Sequence, residues 1–339
     1  MLKSSAAPLL GSYDLVMFDL DGVVYVGGES VAGVSDRVRQ VRDTGAHVAF
    51  VTNNASRSPE QVAAKLVKLG VAATSDDVVT SAQAAARLLR DRFGDGAAVW
   101  LLGGPGLEAA LLAEGLVVAE EPQGAVAVVS GYGPDVLWKD VMRAATMVRD
   151  GLPYVASNTD LTIPTAYGLA PGHGVLVRTI ADFAGVEPTV AGKPARPLMD
   201  ETIRRVGGER PLMVGDRLDT DIEGARAAGI DSMLVLTGVT GLSELVSAQA
   251  PLRPDFIAPD LAGLFEAHPV PERDGSAVHL GGWTARLEGG GVDVSGHGSP
   301  ADWWRVVATA GWTALDDGKP VIDVTKLHPP VAPDGGQRR

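Results

Sequence analysis

The run Asp19-Leu20-Asp21-Gly22-Val23-Val24-Tyr25 places two carboxylates two residues apart, directly after the apolar stretch Leu15–Phe18. Such a stretch reads as a parallel strand, so both acids fall at its carboxyl end, where open α/β folds put their sites. Two acids there can divide labour, one attacking an electrophile while the other moves protons. A bare Asp-x-Asp is equally a strand end with aspartates as turn formers, so catalysis needs further groups. Other strand ends supply them. Val48–Val51 runs into Thr52-Asn53-Asn54-Ala55-Ser56, whose hydroxyl and N–H groups suit either phosphate oxygens or helix capping. Val190-Ala191-Gly192-Lys193-Pro194 sets an ammonium before a helix, where it can neutralise a phosphate and a carboxylate or sit solvated at the surface. Leu212–Val214 runs into Gly215-Asp216-Arg217-Leu218-Asp219-Thr220-Asp221, where glycine permits close approach and carboxylates can hold a hard cation.

The elements that must position these groups follow from periodicity. Short apolar runs predict strands at Leu15–Phe18, His47–Val51, Ala98–Leu102, Ala125–Val129, Tyr154–Ala156, Pro211–Val214 and Ser232–Leu236. Alanine-rich amphipathic stretches between them predict helices, among them Pro59–Leu69, Ala82–Phe93, Trp138–Arg149, Val175–Phe183 and Thr220–Ala228. Strands alternating with helices make the class α/β with a parallel sheet. The strands form one group at residues 15–51 and 211–236 and another at roughly 98–156, the order expected of a core interrupted by an insertion. Beyond Glu266 glycine and tryptophan become dense. Gly289-Gly290-Gly291 reads as a hairpin turn, Ala301–Leu315 as a helix carrying Trp303, Trp304 and Trp312, and Pro329–Arg339 as a loose tail.

Composition narrows the functions. Forty-two acidic against 29 basic side chains leave a net charge of −13, which repels a nucleic-acid backbone in the absence of a basic patch. The chain has no cysteine, which excludes disulfides, thiolate metal sites and cysteine nucleophiles and fits the reducing cytoplasm. The most apolar long stretch, Ala97–Val118, is broken by Gly103-Gly104-Pro105-Gly106, Glu108 and Glu114, so no membrane insertion is expected.

In the order Asp-x-Asp, Thr, Lys, Gly-Asp, the strand-end groups resemble the haloacid dehalogenase superfamily of phosphohydrolases, and residues 12–265 follow its pattern. Asp-Leu-Asp-Gly-Val-Val-Tyr, Thr-Asn-Asn and Gly-Asp-x-x-x-Thr-Asp-Ile are similar to the NagD-like branch of nucleotidases and of phosphatases for pyridoxal phosphate, phosphoglycolate and glycerol 3-phosphate. The resemblance implies a Rossmann-like parallel-sheet core at 1–81 and 186–266 and an inserted α/β cap domain at 82–185, while residues 267–339 read as a small α+β C-terminal unit. It makes Asp19 the nucleophile that becomes an aspartyl phosphate, and Asp21 the acid for the leaving alkoxide and the base for water. It implies magnesium held by Asp19, the main-chain carbonyl of Asp21 and Asp216, with Asp221 behind them. Thr52, the Asn53 amide and Asn54 would bind the phosphoryl group, and Lys193 would screen charge between it and Asp19. Negative charge meeting a phosphate dianion needs such cations before attack is feasible.

Asn158, Asp160 and the Pro171-Gly172-His173-Gly174 run match the family's cap. Asn158 and Asp160 read best as turn residues, while Tyr167 and His173 are candidates for substrate contact. The expected partner is a small phosphorylated metabolite, glycerol 3-phosphate first, because no run of aromatic residues is available between Tyr167 and Gly174 to stack a base or pyridine. Phosphoglycolate, pyridoxal phosphate and a nucleoside monophosphate are the alternatives. A phosphorelay receiver module also joins acids, threonine and lysine on a parallel sheet, but it carries its acceptor on a later strand and has no large insertion. The C-terminal unit lies outside the phosphatase pattern and is expected to dock on the core or help form a homo-oligomer.

Overall fold

The computed structural model describes residues 1–165 and 168–330, and these divide into two compact units. Unit 1 comprises Met1–Val26, Val31–Ala46 and the described residues from Arg210 onward; unit 2 comprises Gly27–Ser30 and His47–Glu209. Tyr167 and residues 331–339 of the expected tail lie outside the described residues.

In unit 1 four parallel strands lie in the order Phe256–Ala258, Asp231–Val235, Pro211–Gly215, Leu15–Asp19. Leu15–Asp19 is buried throughout, which explains why it is a continuous apolar run instead of an alternating one: helices cover both faces of a parallel sheet. The register Phe18↔Val214 brings the carboxyl ends of the first strand and Pro211–Gly215 level, and Asp19 and Asp216 to one edge. Phe256–Ala258, only three residues long, escaped the sequence reading. The expected helix Thr220–Ala228 begins instead as a π-helical turn, Leu218–Ile222, before Glu223–Ala228 continues as α-helix.

The C-terminal residues belong to the same unit. Four antiparallel strands, Glu272–Asp274, Ala277–Leu280, Trp283–Glu288 and Gly291–Gly296, precede the helix Pro300–Asp316. Gly289 and Gly290 both take positive φ, 57° and 86°, as a two-residue hairpin turn demands. Ser299 accepts a bond from the Ala301 N–H and Pro300 starts the helix, so its amino end is capped. One side of the helix packs Val306 and Ala310 on Val278 and Ala285 of the antiparallel sheet. Another joins Ala308 and Trp312 to Leu218, Ile222, Leu234, Leu245 and Ile257. A helix buried nearly all round is part of an interior, and each large apolar side chain so buried contributes about 1.5–3 kcal/mol.

Unit 2 holds a five-stranded parallel sheet in the order Thr189–Val190, Tyr154–Ala156, Val128–Ser130, Ala98–Leu102, Val117–Val118. The helices Trp138–Arg149 and His173–Ala184 pack Val141, Ala144, Val148, Val177 and Ile180 against Trp100, Val128 and Tyr154. His47–Thr52 pairs in parallel with Val78–Thr80, register Thr52↔Thr80. The capping boxes Ser58/Gln61 and Thr80/Gln83 start the helices Pro59–Lys68 and Ser81–Phe93. Among the described residues no helix is long and apolar enough to cross a membrane.

Candidate active site

At the carboxyl edge of unit 1, carboxylate oxygens of Asp19, Asp216 and Asp221 lie within 4.8 Å of one another. Asp216 and Asp221 are fully buried and Asp19 is 9% exposed. Asp221 accepts from the main-chain N–H groups of Asp216 and Arg217, both at 3.1 Å, which pins the acidic loop onto its own helix start. Asp216 Oδ2 accepts from the Val239 N–H at 2.6 Å, and its main-chain oxygen accepts from Thr240 N–H at 3.1 Å. Two glycines let the backbone close on this carboxylate. A Cβ on Gly22, whose φ is +89°, would sit 2.2 Å from Asp216 Oδ2, and one on Gly238 would sit 2.0 Å from it. Three carboxylates crowded where two have no access to water repel one another unless a cation joins them, so the donor set fits a hard divalent ion. Asp21 is exposed and its Oδ2 accepts from the Tyr25 hydroxyl at 3.3 Å, while Thr237 Oγ1 donates to the Gly22 carbonyl at 2.6 Å. The residues Thr237–Thr240 were missed by the sequence reading. Their signal was available, since they form one more polar loop at a strand's carboxyl end.

Unit 2 gathers a different set. Thr52 and Lys193 are 5% and 2% exposed. Asn53 is the hub: its Oδ1 accepts from the Lys193 N–H at 2.8 Å, and its Nδ2 donates to the Lys193 carbonyl at 2.9 Å and to Asp160 Oδ1 at 3.1 Å. The Asn53 carbonyl accepts from Ser81 Oγ at 2.6 Å and Asn158 Nδ2 at 2.7 Å. Gly192 is required here, because a Cβ would lie 2.6 Å from Asn53 Oδ1. The Thr52 and Lys193 segments, 140 residues apart between Asn53 and Lys193, are thus locked to each other by amide pairing. Asn54 turns back on its own loop, its Oδ1 accepting from the Ser56 N–H at 2.9 Å and hydroxyl at 2.7 Å. Beside that loop a cavity of about 1010 Å³ is lined by Ser56, Arg57, Trp100, Gly104 and Tyr132, among others.

His173 is placed in the interior of unit 2, 5% exposed, with Nε2 at 3.1 Å from Ser130 Oγ, which in turn meets the Tyr154 hydroxyl at 2.8 Å. Burial pulls its pKa down to about 4, so the ring is neutral at pH 7. Its contact with Ser130 ties the start of its helix to the strand Val128–Ser130.

A parallel-sheet α/β chain with a buried carboxylate triad at one strand edge, an Asp-x-Asp pair, and a threonine and lysine locked by an asparagine is a phosphohydrolase in class. Residues 16–117 match the Haloacid dehalogenase-like hydrolase family and residues 190–264 the HAD-hydrolase-like family. The chain is 41% identical over 312 residues to the D-glycerol 3-phosphate phosphatase of Mycobacterium tuberculosis, covering 89% of this chain and 86% of that one. It is 36% identical over 231 residues to the 5'-nucleotidase YutF of Bacillus subtilis, covering 68% and 89%. A crystal structure of a glycerol phosphate phosphatase from Mycobacterium tuberculosis in complex with magnesium superposes with a TM-score of 0.83 at 39% identity, covering 94% of each chain. The chain belongs to the haloacid dehalogenase-like hydrolases and is a phosphoric monoester hydrolase.

Proposed function

We propose that the chain hydrolyses glycerol 3-phosphate to glycerol and phosphate, with magnesium as cofactor, in the cytoplasm. The observation that carries the substrate is the 41% identity with a D-glycerol 3-phosphate phosphatase across 89% of the chain, against 68% for the nucleotidase. Asp19 attacks phosphorus through a carboxylate oxygen, forming an acyl phosphate as the bond to the glycerol oxygen breaks. Asp21, oriented by the Tyr25 hydroxyl, passes its proton to that oxygen. It then takes a proton from water, which attacks the acyl phosphate, releases phosphate and restores Asp19. Thr52, the main-chain N–H of Asn53 and Lys193 would hold the phosphoryl oxygens, while the Asn53 side chain keeps the threonine and lysine segments in fixed register. Magnesium, held by Asp19, Asp216 and the Asp21 carbonyl, would supply charge neutralisation at the phosphoryl oxygens when bound.

The test is phosphate release with magnesium from both enantiomers of glycerol 3-phosphate, phosphoglycolate, pyridoxal phosphate and UMP, compared as kcat/KM. The reading predicts the highest value for glycerol 3-phosphate. One observation favours a nucleoside monophosphate as the second reading: Trp100 and Tyr132 line the cavity beside the Thr52 loop, and 1010 Å³ is more than a three-carbon ester fills. A clear preference for UMP would establish that reading instead and leave the mechanism standing.

A further inference from the structure

We infer that Trp312, in the C-terminal helix, is a positioning residue for the carboxylates that hold the metal, so that the helix outside the phosphatase pattern tunes magnesium binding. The inference rests on the proposed magnesium site. Three connected observations within unit 1 carry it.

The indole of Trp312 donates through Nε1 to the main-chain carbonyl of Leu245 at 2.7 Å, and Trp312 is 3% exposed. Leu245 lies in the short helix Leu242–Val246, which Gly241 immediately precedes at the N-cap. The loop entering that helix is the one that grips Asp216: Val239 N–H on Oδ2, Thr240 N–H on the main-chain oxygen, and Gly238 so close that a Cβ would lie 2.0 Å from Oδ2. A five-residue helix has almost no stability of its own and takes its position from what packs on it. Gly311 lets the C-terminal helix come against it, since a Cβ there would meet Val246 Cβ at 2.7 Å and Val246 O at 2.9 Å.

The apolar cluster around this tryptophan extends to the acidic loop itself. Trp312, Ala308 and Leu245 share one apolar cluster with Leu218 and Ile222, the two ends of the π-helical turn that contains Asp221. Both segments that carry or clasp Asp216 and Asp221 therefore border the one apolar cluster to which this ring belongs. That ring is itself clamped. The guanidinium carbon of Arg253 stands 5.4 Å from its centroid, and Arg253 is held by a two-bond pair to Asp316, both contacts at 2.8 Å, and by a bond from Nε to the Ala248 carbonyl at 3.0 Å. The apolar body of Trp312 sets the distance between helix and loops, and its single N–H sets the height of the Leu242–Val246 turn.

Trp312→Phe keeps an aromatic ring and removes the N–H. Magnesium binding to the full-length protein, measured by calorimetry without substrate, should weaken about threefold to tenfold, the equivalent of one net hydrogen bond. Turnover at saturating magnesium should recover most of its wild-type value, with KM for substrate unchanged. Val306→Ala, on the side of the same helix that faces the antiparallel sheet, is the control. It should lower the melting midpoint and leave magnesium affinity alone. Equal magnesium affinity in wild type and Trp312→Phe, or an equal loss in Val306→Ala, would overturn the inference. If Trp312→Phe does not fold, Asp316→Asn decides: it breaks the clamp on Arg253 at a half-exposed position, and a weakening of about twofold supports the inference whereas none removes it. A wild-type protein that binds no magnesium would instead strike at the proposed cofactor itself.

Discussion

In unit 1 the strand-end cluster is three carboxylates whose oxygens lie within 4.8 Å, while in unit 2 the strand ends meet through a neutral amide that bonds both faces of the Lys193 peptide. Charge is concentrated in the first, and a neutral side chain makes the joint in the second. The acidic cluster is held by backbone N–H groups and by glycines that let the chain approach, and it gains stability from an added cation. The amide cluster satisfies its own donors and acceptors and gains nothing from a metal. The first is suited to take up a cation, and the second holds two distant segments in register.

The largest effect should come from Asp19→Asn. An amide neither attacks phosphorus nor ligates a hard cation well, so turnover should fall by about a thousandfold or more with folding retained. Magnesium-dependent phosphate release near the wild-type rate would end the covalent mechanism. Gly238→Ala should come next, because a methyl 2.0 Å from Asp216 Oδ2 must displace either the carboxylate or the loop. Magnesium should then raise the melting midpoint of wild type but hardly that of this variant. A normal midpoint shift would show that the loop gives way without moving Asp216.

Asn53→Asp probes the other side of the comparison. It trades the Nδ2 donor for an oxygen facing the Lys193 carbonyl and Asp160, so denaturant unfolding should show a loss of about 2–4 kcal/mol, with magnesium affinity unchanged. A reduced magnesium affinity would mean that the acidic cluster depends on this asparagine as well.

Acid should act on both units through one histidine each. Burial lowers the pKa of His173 to about 4, and burial together with the Arg305 charge lowers that of His268 to about 4. Arg305 can only donate, so His268 accepts its bond at Nδ1 and gives its proton from Nε2 to the Gly263 carbonyl at 2.8 Å. Each ring is neutral in the native state and takes up a proton more readily when unfolded. The stability this preference protects is intact above about pH 6.5, declines as the pH falls, and is fully lost below about pH 4. His173 alone accounts for about 3 kcal/mol across that window. His173→Gln should flatten the acid limb of stability without reordering substrates, and an altered substrate ranking would return the residue to the binding site.

Much of this was legible in the linear chain, for a physical reason. Strand-end chemistry is local: an apolar run buried on both faces must end in polar residues at the sheet edge, so Asp19, Thr52 and Asp216 were marked by what precedes them. Their chemical class followed from the order of the motifs, which resembles that of a known family. The Gly289-Gly290 hairpin and the Ser299 cap were equally local. His173 was legible as a polar residue in a promising loop, but it is buried against Ser130, 43 residues away, and no local pattern marks that contact.

The sequence by itself marked the strand-end residues, because reactive groups and strand periods are properties of short segments, and the order of those motifs gave the reaction class through its resemblance to a known family. Tertiary structure alone decided that Asn53 is a brace between distant segments and that Trp312 reaches Leu245. Each of these depends on two backbones approaching at a distance set by packing, and the space between chain segments is written in no single stretch of residues.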